Sequence, residues 1–296
     1  MTVIGTGAAV AVPAPARLGA VRTAGGRRLA WAEWGPEDGV PVLLCPGAGT
    51  SRRLGFGAGT VEELGVRLIS VDRPGLGASD SVPGRTLTGW AEDVREFAAR
   101  RGLEGLRGVG FSQGAPFALA CAAAGVLTRV ALVSGTDELA APACEALLPD
   151  EVRYLVGRAA ADPVAAERSF AGFGSPEGLY ELIVMSSGER DRALLEQPAF
   201  AAAFQEALAE GFAQGPAGYA RDTLLTMSRW PFDPADVRTP VDLWYGALDA
   251  APTHSPDHGA RLAARLPTAR RRVVPEAGGM LLWTHAASVL GALLDA

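Results

Sequence analysis

Apolar runs of five or six residues, each cut short by Gly or Pro, recur through the first half of the chain and return near its end. Val40–Cys45 is one such run, closed by Pro46-Gly47; residues 67–72 form another, ended by Arg73-Pro74-Gly75, and 130–134 and 241–246 are similar. Runs that stay apolar at successive positions, rather than alternating, suit strands buried on both faces of a parallel sheet. Residues 29–34 read as an earlier strand that stops at Gly35-Pro36, and a strand of about five residues leads into Gly110. Between these runs, 88–101 places Trp90, Val94 and Phe97 at helical spacing with Gly102 as the stop. Residues 115–124 form a second helix, closed by Gly125. Strands alternating with helices predict a mostly parallel, doubly wound α/β sheet with right-handed crossovers.

The rhythm breaks after Asp137. From 138 to 235 the pattern is helical throughout, with separate helices predicted at 149–160, 177–186, 198–213 and 218–228. Alternation then resumes with a strand at 241–246, a helix at 257–266, a strand at 272–275 and a closing helix at 281–294. The organisation expected is an N-terminal arm (1–17), an α/β core (18–137 and 236–296) and an inserted, all-helical cap (138–235).

Composition narrows the function classes. Hydrophobic residues make up 48% and charged residues 20%, which suits a folded domain rather than a disordered one. A net charge of −6 argues against a nucleic-acid partner, which a basic patch would announce. All 27 basic residues other than histidine are Arg, and they read as solvated surface. No apolar run approaches the roughly 18–20 residues of a membrane helix. Met1 to Pro15 lacks a basic n-region, so the arm does not read as a signal peptide, and the expected location is the cytoplasm. Cys45, Cys121 and Cys144 are widely spaced and odd in number, which fits small buried thiols and offers no metal-ligand spacing. No phosphate-cradling or dinucleotide fingerprint is present.

The candidate chemistry begins at Gly110-Phe111-Ser112-Gln113-Gly114. A strand runs in and a helix runs out, with Pro116 in its first turn. That is the setting in which a strained turn projects a Ser hydroxyl above the sheet, with small residues on either side relieving the crowding. An oxyanion would need two donors. The Gln113 N–H is one candidate; Ala48, in the 46–52 loop after the Val40–Cys45 strand, supplies the other.

The 46–52 turn, the 72–79 segment, the Phe111-Ser112-Gln113 elbow and the Tyr245-Gly246-Ala247-Leu248-Asp249 turn together resemble the α/β-hydrolase superfamily, over roughly 18–137 and 240–296. The resemblance implies Ser112 as nucleophile, Asp249 as acid and no cofactor. Ser rather than Asp at 112 argues against the family's epoxide and haloalkane chemistry. Two positions depart from the pattern: Pro46-Gly47 stands where the family often has His-Gly, and Gly279 stands where its catalytic His is expected after the last strand. Three histidines remain. His254, five residues after Asp249 at the same end of the sheet, is the best candidate base. His285 should point away from the elbow from within the closing helix, and His258 reads as structural. Asp137 could serve as an alternative acid or base, though a surface helix cap is the plainer use.

The expected substrate is a small, largely apolar ester, thioester, lactone or related acyl compound under the aromatic-rich cap, with Phe111 and Trp230 lining the pocket. Two other readings stay open at this stage: a small-molecule binding or sensor protein that lost turnover, which Gly279 supports, and a cofactor-free lyase or cyclase. Oligomeric state is not legible, nor is whether Gly279 is native or introduced.

Overall fold

The computed structural model describes residues 10–295; of the expected N-terminal arm, residues 1–9 lie outside the described residues. Eight strands form one sheet: β1 (Arg17–Arg22), β2 (Arg28–Trp34), β3 (Val40–Cys45), β4 (Val66–Val71), β5 (Arg107–Phe111), β6 (Val130–Val133), β7 (Val241–Gly246) and β8 (Ala269–Val274). Their order across the sheet is β1-β2-β4-β3-β5-β6-β7-β8. β1 and β2 run antiparallel to their neighbours, and all pairings from β4 to β8 are parallel.

The uniformly apolar strands are apolar because helices cover both faces. In β3, Val42 and Leu44 enter one core while Leu43 and Cys45 enter the other, and β4 divides Leu68 from Ile69 and Val71 in the same way. That is the two-residue period of a strand with no solvent face. Helices α1 (Thr60–Glu63), α2 (Leu87–Arg101) and α3 (Ala115–Ala123) connect the first strands. Thr86 caps α2 by accepting the Gly89 N–H at 3.0 Å, and Gly102 ends it at φ 61°, where a side chain would be strained.

After β6 the chain leaves the sheet for α4 (Pro142–Glu145), α5 (Asp150–Ala161), α6 (Pro163–Phe173), α7 (Pro176–Ser186), α8 (Glu189–Leu195), α9 (Pro198–Gly211) and α10 (Ala217–Thr226). It returns at β7 and closes with α11 (Ala260–Arg265), α12 (Leu281–Thr284) and α13 (Ala286–Leu294). Part of the inserted group has a core of its own, with Leu148, Val152, Phe170, Leu224 and Met227. The rest, including Leu195, Phe200, Phe204 and Leu208, joins the core of the sheet.

Several elements differ from the sequence expectation. β1 alternates half-buried and exposed positions, so its apolar signal is diluted. β8 starts at Ala269, its first half written in arginines at the sheet edge. The closing helix is broken at His285 (φ −129°, ψ 26°) into α12 and α13. The arginines are not all solvated surface: Arg73 and Arg85 are buried and converge on the buried Asp222, and Glu33 binds Arg17, Arg67 and Arg101. The three cysteines are free and buried. Among the described residues no helix is long and apolar enough to cross a membrane.

Candidate active site

β5 delivers Ser112 at φ 50°, a left-handed conformation unusual for a residue with a side chain. The flanking glycines are required by close approach. A Cβ on Gly114 would lie 2.0 Å from the Cys45 carbonyl oxygen, and one on Gly110 would lie 2.8 Å from both Ala115 Cα and Ala118 Cβ. The strained turn therefore rests on the neighbouring strand β3 and on the start of α3.

The loop after β7 turns back over the elbow because it is tied at both ends. Ala247 N–H donates to the Val274 carbonyl (2.9 Å), Leu248 N–H to the Ala277 carbonyl (2.9 Å), and Ser255 N–H to the Gly135 carbonyl (3.0 Å). Between these ties stand Asp249 and His254. His254 Nε2 is 2.8 Å from Ser112 Oγ, and Nδ1 is 2.7 Å from Asp249 Oδ2. Asp249 Oδ1 also accepts the Ala251 N–H at 3.1 Å. With Nδ1–H donated to the carboxylate, Nε2 presents a lone pair to the Ser hydroxyl.

Burial opposes a charged imidazole at His254, but the Asp249 charge, the Asp249 hydrogen bond and the Asp191 charge outweigh it and hold the pKa above its ordinary value. For Asp249, burial pushes upward, yet the His254 charge, the His254 hydrogen bond and the Ala251 N–H bring the carboxyl below its usual range.

The vacant position expected for the base is filled by contact. A Cβ on Gly279 would lie 2.6 Å from Asp249 Oδ1. The 278–280 turn is held by a residue that the sequence did not single out: Asp191 of α8, whose Oδ2 accepts the Gly279 N–H (2.7 Å) and Oδ1 the Met280 N–H (2.9 Å). Its setting, Glu189-Arg190-Asp191-Arg192, reads as a solvated helix face, and Glu189, Arg190 and Arg192 are indeed exposed. Nothing in the pattern marks Asp191 as buried.

Ala48 and Gln113 both line the cavity beside Ser112. Among the described residues, neither backbone N–H donates to another protein group. The loop carrying Ala48 is fixed from below: Arg73 donates to the Pro46 carbonyl (2.8 Å), the Gly47 carbonyl (3.0 Å) and Asp222 (2.7 Å), and lies 4.7 Å over the Phe117 ring.

The cavity measures about 340 Å³ and runs from Ser112, His254 and Phe111 to Phe170, Leu179, Phe204 and Met227 of the inserted helices. Trp230, expected to line it, does not. It stacks on Phe232 at 5.6 Å, donates its backbone N–H to Glu138 Oε1 (3.0 Å) and packs in the core on the opposite face of the sheet. Asp137 is not a surface cap: it is buried, accepting from Glu138 N–H (2.7 Å) and Ser255 Oγ (3.3 Å). His285 contacts Thr284 (2.9 Å), and the His258 ring lies 6.4 Å from that of Tyr245. Among the described residues, no three His, Cys, Asp or Glu side chains group to hold a metal ion.

The sequence model described as the alpha/beta hydrolase family matches residues 42–291. No curated protein matches the chain. Among solved structures, a bromoperoxidase from Bacillus anthracis superposes with a TM-score of 0.68 at 18% identity, covering 94% of this chain and 99% of the other. A thermophilic esterase from Thermogutta terrifontis gives 0.66 at 23% identity, covering 94% and 97%. An esterase from Rhodococcus sp. ECU1013 gives 0.60 at 18%, covering 93% and 96%.

Proposed function

We propose, for a chain that belongs to the alpha/beta hydrolase family, that it hydrolyses small, largely apolar acyl compounds, carboxylic esters first among them, through Ser112, His254 and Asp249. The observation that carries this reading is the unbroken contact chain from Ser112 Oγ through the imidazole to Asp249, at 2.8 and 2.7 Å.

In the first half-reaction Ser112 Oγ forms a bond to the substrate carbonyl carbon as His254 Nε2 takes the hydroxyl proton. Asp249 holds the ring in the tautomer that leaves Nε2 free and stabilises the imidazolium that results. The carbonyl oxygen becomes an oxyanion facing the Gln113 and Ala48 N–H groups, the proposed donors. Collapse breaks the bond to the alcohol, which leaves with the proton from Nε2, and Ser112 stays acylated. Water then repeats the sequence: it gives its proton to His254, attacks the acyl carbon and releases the acid with Ser112 restored. An apolar cavity closed by aromatic side chains favours the acyl or alcohol portion of such a substrate over a charged one.

The reading as a binding protein drew on an absent base. A histidine within hydrogen-bond reach of the nucleophile takes that support away. Fluorophosphonate labelling with the modified residue located by mass spectrometry, run beside turnover of p-nitrophenyl butyrate, tests the proposal. The parent should be labelled at Ser112. His254→Ala should lose roughly a million-fold in turnover, the scale seen when a triad base is removed. Turnover of p-nitrophenyl butyrate retained in Ser112→Ala would rule Ser112 out as the nucleophile, and a parent that neither labels nor turns over would sink the hydrolase reading.

A further inference from the structure

We infer that Asp191, reaching in from α8, is a positioning residue for the Asp249–His254 pair: it clamps the 278–280 turn against the back of Asp249. This rests on the hydrolase reading above and deepens it.

The geometry is a sandwich. Two consecutive glycines lie between two carboxylates, and each is needed on one side. A Cβ on Gly278 would fall 2.3 Å from Asp191 Oδ1; one on Gly279 would fall 2.6 Å from Asp249 Oδ1. Asp191 grips the turn with both oxygens, through the Gly279 and Met280 N–H groups. The turn is therefore held by Asp191 on the side away from Asp249, and a Cβ at either glycine would collide with one of the two carboxylates. Nor does surface chemistry account for this carboxylate. Asp191 is 6% exposed and its hydrogen-bond partners are backbone amides, with no Arg paired to it among the described residues. Burying a charge so is costly, and two charge-assisted hydrogen bonds repay only part of that cost.

The remaining part has a place in the reaction. When Ser112 passes its proton to His254, a positive charge forms in a buried site that holds two carboxylates. Charged and titratable groups face the imidazole from three sides: Ser112 from the elbow, Asp249 from its own loop, and Asp191 from α8. His258 acts on Asp249 from the far end of the loop, and Asp137 turns to Ser255. Asp191 itself sits above its ordinary value, because burial and the Asp249 charge outweigh the two amides.

The wild-type protein gives the first readout. The pH midpoint of the His254 ring, followed by ¹⁵N NMR, sets the reference for the variant, because Asp249 contributes most to raising it and Asp191 the least. Asp191→Asn removes the charge and can accept from only one of the two amides. Its acid-limb midpoint in kcat/KM should move down by about half a pH unit or more, with kcat down about ten-fold and KM within two-fold. A merely structural residue would leave that midpoint in place. If Asp191→Asn does not fold, Asp191→Ser keeps one acceptor in a smaller side chain and is read the same way. Ser112 labelled with equal midpoints in wild type and variant defeats this inference alone; Ser112 unlabelled in the wild type defeats the hydrolase reading as well.

Discussion

Placing at position 279 the histidine that the resemblance leads one to expect there should harm this protein, not help it. The smallest step towards it, Gly279→Ala, places a Cβ 2.6 Å from Asp249 Oδ1, 3.0 Å from its Cγ and 3.2 Å from Oδ2. Gly279 does not occupy a left-handed backbone conformation, so the cost is contact rather than strain. To reach 3.0–3.4 Å, the carboxylate must retreat by about 0.4–0.8 Å. It is held on the other side by His254 Nδ1 at 2.7 Å and Ala251 N–H at 3.1 Å, so the retreat is taken from those bonds. A hydrogen bond to a charged group contributes about 1.5–3 kcal/mol. At 1.36 kcal/mol per decade, its loss slows kcat/KM by about 10- to 150-fold. The ceiling is about 3 × 10⁴, the cost of deleting the acid of a serine-protease triad outright. Gly279→His, whose ring must share the same space, should do at least as badly. The assay is kcat/KM on p-nitrophenyl butyrate at the pH optimum, with thermal melting to separate damage to the site from damage to the fold. A Gly279→Ala enzyme within two-fold of the parent, or a Gly279→His enzyme faster than the parent, would refute the reasoning.

Two stability predictions follow from groups nearby. Asp222→Ala leaves Arg73 and Arg85 buried without their shared partner and should destabilise by about 3–5 kcal/mol in urea denaturation; a midpoint equal to the parent's would show that these guanidiniums find other acceptors. Phe170→Ala removes a ring shared by the inserted core and the cavity wall. It should cost about 3 kcal/mol and shift preference towards longer acyl chains across a p-nitrophenyl ester series, and an unchanged chain-length profile would place the acyl group elsewhere.

The sequence made the inner sheet legible and the edges much less so. β3 and β7 have the bounds their patterns predict, because burial on both faces keeps their positions apolar, the ion-paired Asp242 of β7 apart. β1 and the start of β8 carry arginines and half-exposed positions, so side-chain pattern does not separate them from loop. Helices α6 and α8 escaped for a related reason. α8 has only seven residues and one of its charged residues, Asp191, turns inward, while α6 buries only Ala166 and Phe170 and so shows little apolar stripe. At the site, Gly-x-Ser-x-Gly between a strand and a helix was sufficient to single out Ser112. Among the three histidines, His254 is marked only by its place five residues after Asp249, since nothing local distinguishes Thr253-His254-Ser255 from an ordinary loop. The ties that bend this loop over the elbow run to Gly135, Val274 and Ala277, which no local pattern can display. Gly279 was visible as an absence, and its steric reason became visible only with Asp249 pressed against it.

The proposed acid and base ride on one tethered segment, Asp249 to His254, instead of being drawn from the ends of two different strands. Such a segment is a cassette. It carries its own internal geometry and asks of its host only an elbow beneath it and anchors at its two ends. Grafting 247–255 into a relative stripped of its C-terminal histidine is therefore a rational route to moving a triad within one fold. If His254 is the base, a search for the histidine only after the last strand misses it, and the segment just beyond the acid is the second place to look.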